Sequence, residues 1–121
     1  MHKKHIRVKD SRVLVLGLTF KENSPDLRNT KVIDIIYELI EHEAKVDSYD
    51  PWVDVDEANQ KYGINSITEP EKNAYDAIII AVAHQQFIEM GADQIRAFGK
   101  KLHLLYDLKY VLAADQADLR L

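Results

Sequence analysis

Residues 13–28 read Val-Leu-Val-Leu-Gly-Leu-Thr-Phe-Lys-Glu-Asn-Ser-Pro-Asp-Leu-Arg. The first six form a continuous apolar run. A strand with one wet face alternates polar and apolar residues, whereas an unbroken run suits a strand covered on both faces of a parallel sheet. From Thr19 the chain turns polar, with Asn23-Ser24-Pro25-Asp26 as a turn cluster. Asn29 or Thr30 can then cap a helix whose apolar face is Val32, Ile33, Ile35, Ile36, Leu39 and Ile40. This strand, loop and helix set the pattern for the rest of the chain.

Lys45 to Tyr49 is a second short strand, closed by Asp50-Pro51, because the residue before a proline avoids the helical region. Asp54 to Tyr62 reads as a helix ending at Gly63, and Ile64 to Thr68 as a third strand. Glu69 to Ala74 is one helical turn or a loop. Ala77 to Ala83 is the strongest strand. Phe87 to Met90 reads as a turn, Ala92 to Phe98 as a short helix stopped by Gly99, and Leu102 to Asp107 as a last strand. The alternation predicts an α/β fold: an open, mostly parallel sheet with helices on both faces, in three layers. Residues 1–11 are a polar lead, 12–112 the domain and 113–121 a polar tail expected to fray. Ligands of such sheets sit at the C-terminal ends of the strands. The segments after Leu18, Tyr49, Ala83 and Asp107 are therefore the ones to inspect.

The bulk numbers set limits. The 121 residues are enough for one domain with its own core, and 46% hydrophobic with 30% charged is an ordinary globular mix. A formal net charge of −4 argues against nucleic-acid binding driven by overall charge. No apolar run is long enough to span a membrane, and the basic start, Met1 to His5, has no apolar stretch after it. A cytoplasmic location is the default expectation. The chain has no cysteine, so no disulfide, thiolate metal site or cysteine nucleophile belongs to it.

After the first strand a dinucleotide-binding loop would read Gly-x-Gly-x-x-Gly, but only Gly17 is present. Phe20, Lys21 and Arg28 stand there instead. An aromatic ring can stack on a base, and the two cations can pair with phosphates, arginine in bidentate fashion. The plainer alternative is a solvated loop with a core phenylalanine. Asp50 is read as a turn former, and His84 as a capping or packing side chain at the ligand edge. Trp52 is read as a core lid or an interface residue, with packing favoured. Ser24 lacks a histidine partner nearby in sequence, and the five histidines make no metal site.

The segment Gly17 to Arg28, with Phe20-Lys21 followed by Asp26 and Arg28, resembles the Gly-x-x-Phe-Lys-x-x-x-x-Asp-x-Arg stretch of the UDP-glucose/GDP-mannose dehydrogenases. Tyr49-Asp50-Pro51, Tyr75-Asp76-Ala77, Ala81 to His84 and Tyr106 to Lys109 resemble further family segments, so the similarity covers roughly residues 11–112. The whole set is similar to the subgroup oxidising UDP-N-acetylhexosamines for surface polysaccharides. The resemblance implies the C-terminal, Rossmann-like domain that holds the UDP part of the substrate. In that family an N-terminal domain binds NAD and carries the catalytic cysteine, and the whole enzyme oxidises a C6 alcohol to a carboxylate through a thioester. It implies that Phe20 lines the uridine site, Lys21 meets substrate phosphate, Arg28 reaches the NAD pyrophosphate, and Lys109 stands where many members have an arginine facing substrate. It implies a UDP-sugar as partner and a homodimer or higher oligomer in the full-length protein, with no catalytic residue on this chain. Members often have glycine where Glu43 ends the first helix; in a left-handed conformation glutamate there costs about 1 kcal/mol.

Two other readings follow from the residues. A receiver-like signalling module would accept Lys109 after the last strand, yet it needs paired acidic residues after the first strand, where Gly17-Leu18-Thr19-Phe20 stands. A stand-alone NAD-binding domain lacks its glycine loop.

Overall fold

The structure, a computed structural model, describes residues 10–18, 32–107 and the backbone of 119–120. The elements in chain order are β1 (Arg12–Leu16), α1 (Val32–Glu41), β2 (Lys45–Tyr49), α2 (Val55–Tyr62), β3 (Ser66–Ile67), β4 (Tyr75–Ile80), α3 (Gln85–Arg96), β5 (Gly99–Asp107) and β6 (Leu119–Arg120). The strands make one sheet in the order β3-β2-β1-β4-β5-β6, and every pairing is parallel. Strand order reverses between β1 and β4, which puts the topological switch point there.

The unbroken apolar run of β1 has its explanation in the two cores. Val13 and Val15 face one cluster with Val32, Ile33 and Ile36 of α1 and Ala58 of α2. Leu14 and Leu16 face the other, with Phe87, Ala92 and Ile95 of α3. These four side chains of β1 are fully buried. Helices therefore cover both faces and the fold has three layers, as the sequence pattern implies. Each such side chain contributes about 1.5–3 kcal/mol of burial.

Helix ends follow local rules. Asp54 caps α2 by accepting the Glu57 N–H at 3.0 Å, and Gly63 closes it in the left-handed region at φ 64°. Helix α1 ends with the Ala44 N–H on the Leu39 carbonyl and the Glu43 N–H on Ile40, a Schellman turn. Glu43 holds its left-handed position at φ 66°, the conformation in which glutamate is strained. The caps proposed for α1, Asn29 and Thr30, lie outside the described residues.

Three local readings need correction. Phe87 to Met90 belongs to α3, not to a turn, and α3 breaks at Gly91 (φ 71°, ψ 171°), so the helical spacing restarts at Ala92. Gly99 opens β5 rather than merely stopping a helix; a Cβ there would run into the His103 ring. Strand β4 starts earlier than its apolar run, at Tyr75, because Tyr75 pairs with Gly99 before the register jumps to Ala77 with Leu104. At the chain end, the backbone of Leu119–Arg120 adds a sixth strand beside β5.

Candidate functional site

At the C-terminal edge of the sheet β1 ends at Leu16, and Gly17 turns away at φ 100°. Its missing side chain is needed by the chain itself: a Cβ there would sit 2.6 Å from the Val82 Cβ and 2.8 Å from the Val82 amide nitrogen. The ends of β1 and β4 are thus pressed together at the switch point, where the Ala81 N–H also donates to the Leu16 carbonyl at 2.9 Å.

Under this edge lies a buried polar centre. The Asp50 side chain is 1% exposed and that of His84 fully buried. Asp50 Oδ2 accepts the Leu18 N–H at 2.7 Å and faces His84 Nε2 at 2.8 Å. Asp50 Oδ1 accepts the Trp52 N–H at 2.8 Å. The carboxylate can only accept, so His84 Nε2 is the donor, and the imidazole tautomer or charge must put a proton there. Burial of a carboxylate is tolerable because donors converge on it. The turn reading of Asp50 holds, since its bond to the amide two residues on is an Asx turn. His84 precedes α3 as its N-cap residue without a side-chain capping bond; its ring packs instead, 5.6 Å from Phe87 and 6.3 Å from the Trp52 indole. Trp52 is part-exposed and donates its indole N–H to Gln86 Oε1 at 3.2 Å, covering the pair from outside. Tyr49 lies 6.1 Å from Phe87, and burial together with the Asp50 and Glu69 carboxylates pushes its phenol up.

Sequence reasoning weighed Asp50 and His84 separately and missed their union. The signal was their placement: each follows a strand that flanks β1. The Tyr75-Asp76 pair, by contrast, stands at the opposite edge and holds the fold. The Tyr75 hydroxyl donates to Asp47 Oδ2 at 2.7 Å, Asp76 accepts the Arg12 N–H at 2.8 Å, and the Arg12 guanidinium lies 4.9 Å from the Tyr75 ring centre.

The sequence-derived contact residues Phe20, Lys21, Arg28 and Lys109 lie outside the described residues, as do Ser24 and Asp26. Leu18 and Asp107 are the last described residues before the segments that carry them. They end at the same sheet edge, on either side of β4.

The described residues do not fit NAD held in the usual dinucleotide manner. Close approach at Gly17 is taken up by Val82, and the carboxylate after β2, which would meet a ribose, is turned inward onto three donors. Among the described residues no three His, Asp or Glu side chains gather to hold a metal, and no helix is long and apolar enough to cross a membrane.

The order 3-2-1-4-5-6 with an occupied switch point defines a doubly wound parallel α/β domain whose ligand edge is built differently from a dinucleotide-binding one. The sequence profile described as UDP-glucose/GDP-mannose dehydrogenase family, UDP binding domain, matches residues 14–114, and the chain belongs to that family. It is 57% identical, over its whole length, to 28% of the UDP-N-acetyl-D-glucosamine 6-dehydrogenase of Salmonella typhi. It is 56% identical, again throughout, to 29% of the enzyme of that name from Pseudomonas aeruginosa. The chain thus spans under a third of the length of these relatives. The fold is shared with a solved NDP-N-acetyl-D-galactosaminuronic acid dehydrogenase from Methanosarcina mazei at TM-score 0.79 and 24% identity, over 94% of this chain and 24% of that one. The receiver reading is left without support.

Proposed function

We propose that this chain holds the UDP portion of the substrate in an NAD-dependent UDP-sugar 6-dehydrogenase, with a UDP-N-acetylhexosamine as the sugar nucleotide. The observation that carries the reading is the match of residues 14–114 to the family's UDP binding domain. Phe20 lines the uridine site, Lys21 contacts substrate phosphate, Lys109 faces substrate and Arg28 reaches toward the NAD pyrophosphate. NAD itself is bound mainly by another part of the protein, in keeping with the inward-turned Asp50. With no cysteine in the chain, the thioester step belongs elsewhere and this chain alone has no dehydrogenase activity. The full-length enzyme works in the cytoplasm as a homodimer or larger oligomer, in surface-polysaccharide synthesis.

The test is calorimetric titration of the chain with UDP. Because the site is shared with another domain, affinity is weak, with a Kd of about 1 mM, equivalent to about −4 kcal/mol. Lys21→Ala weakens it further. A chain indifferent to UDP at several times that concentration, with Lys21→Ala behaving identically, overturns the reading.

A further inference from the structure

We infer that the buried Asp50–His84 pair positions the residues that carry Phe20 and Lys21, by fixing the backbone at Leu18, where the chain leaves β1. The inference rests on the UDP-binding reading above and adds to it two residues that never touch the ligand.

The argument starts from which groups the pair joins. Leu18 is the last described residue before the segment that carries Phe20 and Lys21, and its N–H ends on Asp50 Oδ2. The same oxygen faces His84 Nε2, so one atom ties the exit of β1 to the residue that follows the β4 edge. Oδ1 ties in the turn after β2 through Trp52 N–H. The ends of β1, β2 and β4 are separate in sequence, with Asp50 32 residues from Leu18 and 34 from His84. A single carboxylate therefore links three strand ends just beyond the parallel ladders that set their register. Nothing in local structure demands this. The parallel ladder of β1 is already satisfied through Gly17, whose N–H donates to the Tyr49 carbonyl. The Asp50 contact lies one residue further along the chain, on the Leu18 N–H. Both members are excluded from water, where a charge-assisted hydrogen bond is strong and a misplaced partner is costly. A binding group held through a second layer of fixed hydrogen bonds loses affinity when that layer is loosened, even though no ligand contact is removed.

The geometry discriminates between substitutions. Asp50→Asn keeps the shape but places an amide N–H₂ where one of the two oxygens accepts, so it must face either the Trp52 N–H or the Leu18 N–H with His84. His84→Leu removes the donor and leaves the carboxylate short of one partner. His84→Gln offers an amide N–H near the place of Nε2 and is the conservative rescue.

The experiment is UDP titration of the full 121-residue chain and of the three variants, well below each melting temperature, with stoichiometry recorded. We expect Asp50→Asn and His84→Leu to raise Kd about tenfold at unchanged stoichiometry, equivalent to about 1.4 kcal/mol, and His84→Gln to recover most of it. A purely structural pair would lower the melting temperature while the folded fraction kept the parent Kd, and that outcome overturns the inference while leaving the UDP reading intact. A parent chain that ignores UDP overturns both. Because a variant can fail to fold, the parent chain supplies a second readout. The Leu18 amide and the His84 Nε2 proton, followed by NMR, shift on UDP addition with the calorimetric Kd. Resonances unmoved at saturating UDP refute the positioning role.

Discussion

Gly17→Ala tests how closely the switch point is built. The new Cβ would lie 2.6 Å from the Val82 Cβ, 2.8 Å from its Cγ2 and 2.8 Å from its backbone nitrogen. Two of these three atoms are rigid, so the ends of β1 and β4 must separate. Overpacking of this kind costs about 1–3 kcal/mol. The backbone adds its own penalty, because φ 100° is a left-handed conformation that costs an L-residue about 1–2 kcal/mol. The two together predict a loss of about 2–5 kcal/mol. Urea denaturation with an unchanged m-value measures it as a lower midpoint. Of these three contacting atoms, adding Val82→Ala removes only Cγ2, so the double variant regains less than half of the loss. A Gly17→Ala chain within about 0.5 kcal/mol of the parent, or full rescue by Val82→Ala, would refute the reasoning, since then neither the backbone contact nor the φ angle matters.

Glu43→Gly relieves the left-handed residue at the Schellman turn and keeps the Glu43 carbonyl that accepts the Asp10 N–H. It should stabilise the chain by about 0.5–1 kcal/mol, seen as a melting temperature a few degrees higher; an equal or lower value contradicts the strain argument. Tyr75→Phe loses the bond to Asp47. Burial first, then the Asp47 hydrogen bond and charge, raise the Tyr75 phenol well above its ordinary value. Its contribution is therefore complete below the ordinary tyrosine value near 10 and is lost as pH climbs through and above it, at up to about 1.4 kcal/mol per pH unit. The parent chain should lose stability more steeply than Tyr75→Phe across that alkaline range, and parallel stability curves for the two would count against it.

The receiver and dinucleotide alternatives were separable from sequence because each needs residues that are simply absent after β1. The family resemblance rested on Phe20, Lys21, Asp26 and Arg28, and on short strand-end motifs such as Tyr49-Asp50-Pro51. What each motif does was less legible. Tyr75-Asp76-Ala77 enters the resemblance beside the ligand-edge motifs, yet the Tyr75 and Asp76 side chains serve Asp47 and Arg12 at the far edge. Parallel strands present their two ends to opposite sides of the sheet, so a motif at a strand start cannot reach a site at the strand ends.

The amino-acid sequence by itself determined the layers and the local ends. An apolar run such as Val13 to Leu16 has no wet face, so helices must cover both sides of it. Gly63 closes its helix for reasons held within a few residues, and Glu43 ends α1 in the same local way. Only the tertiary structure decided the start of β5 at Gly99, the helical turn over Phe87 to Met90 ahead of the break at Gly91, and the joining of Asp50 to His84 across 34 residues. Those features depend on which strand lies beside which. Strand order is a property of the assembled sheet, fixed when both cores close around β1, and no single stretch of chain contains it.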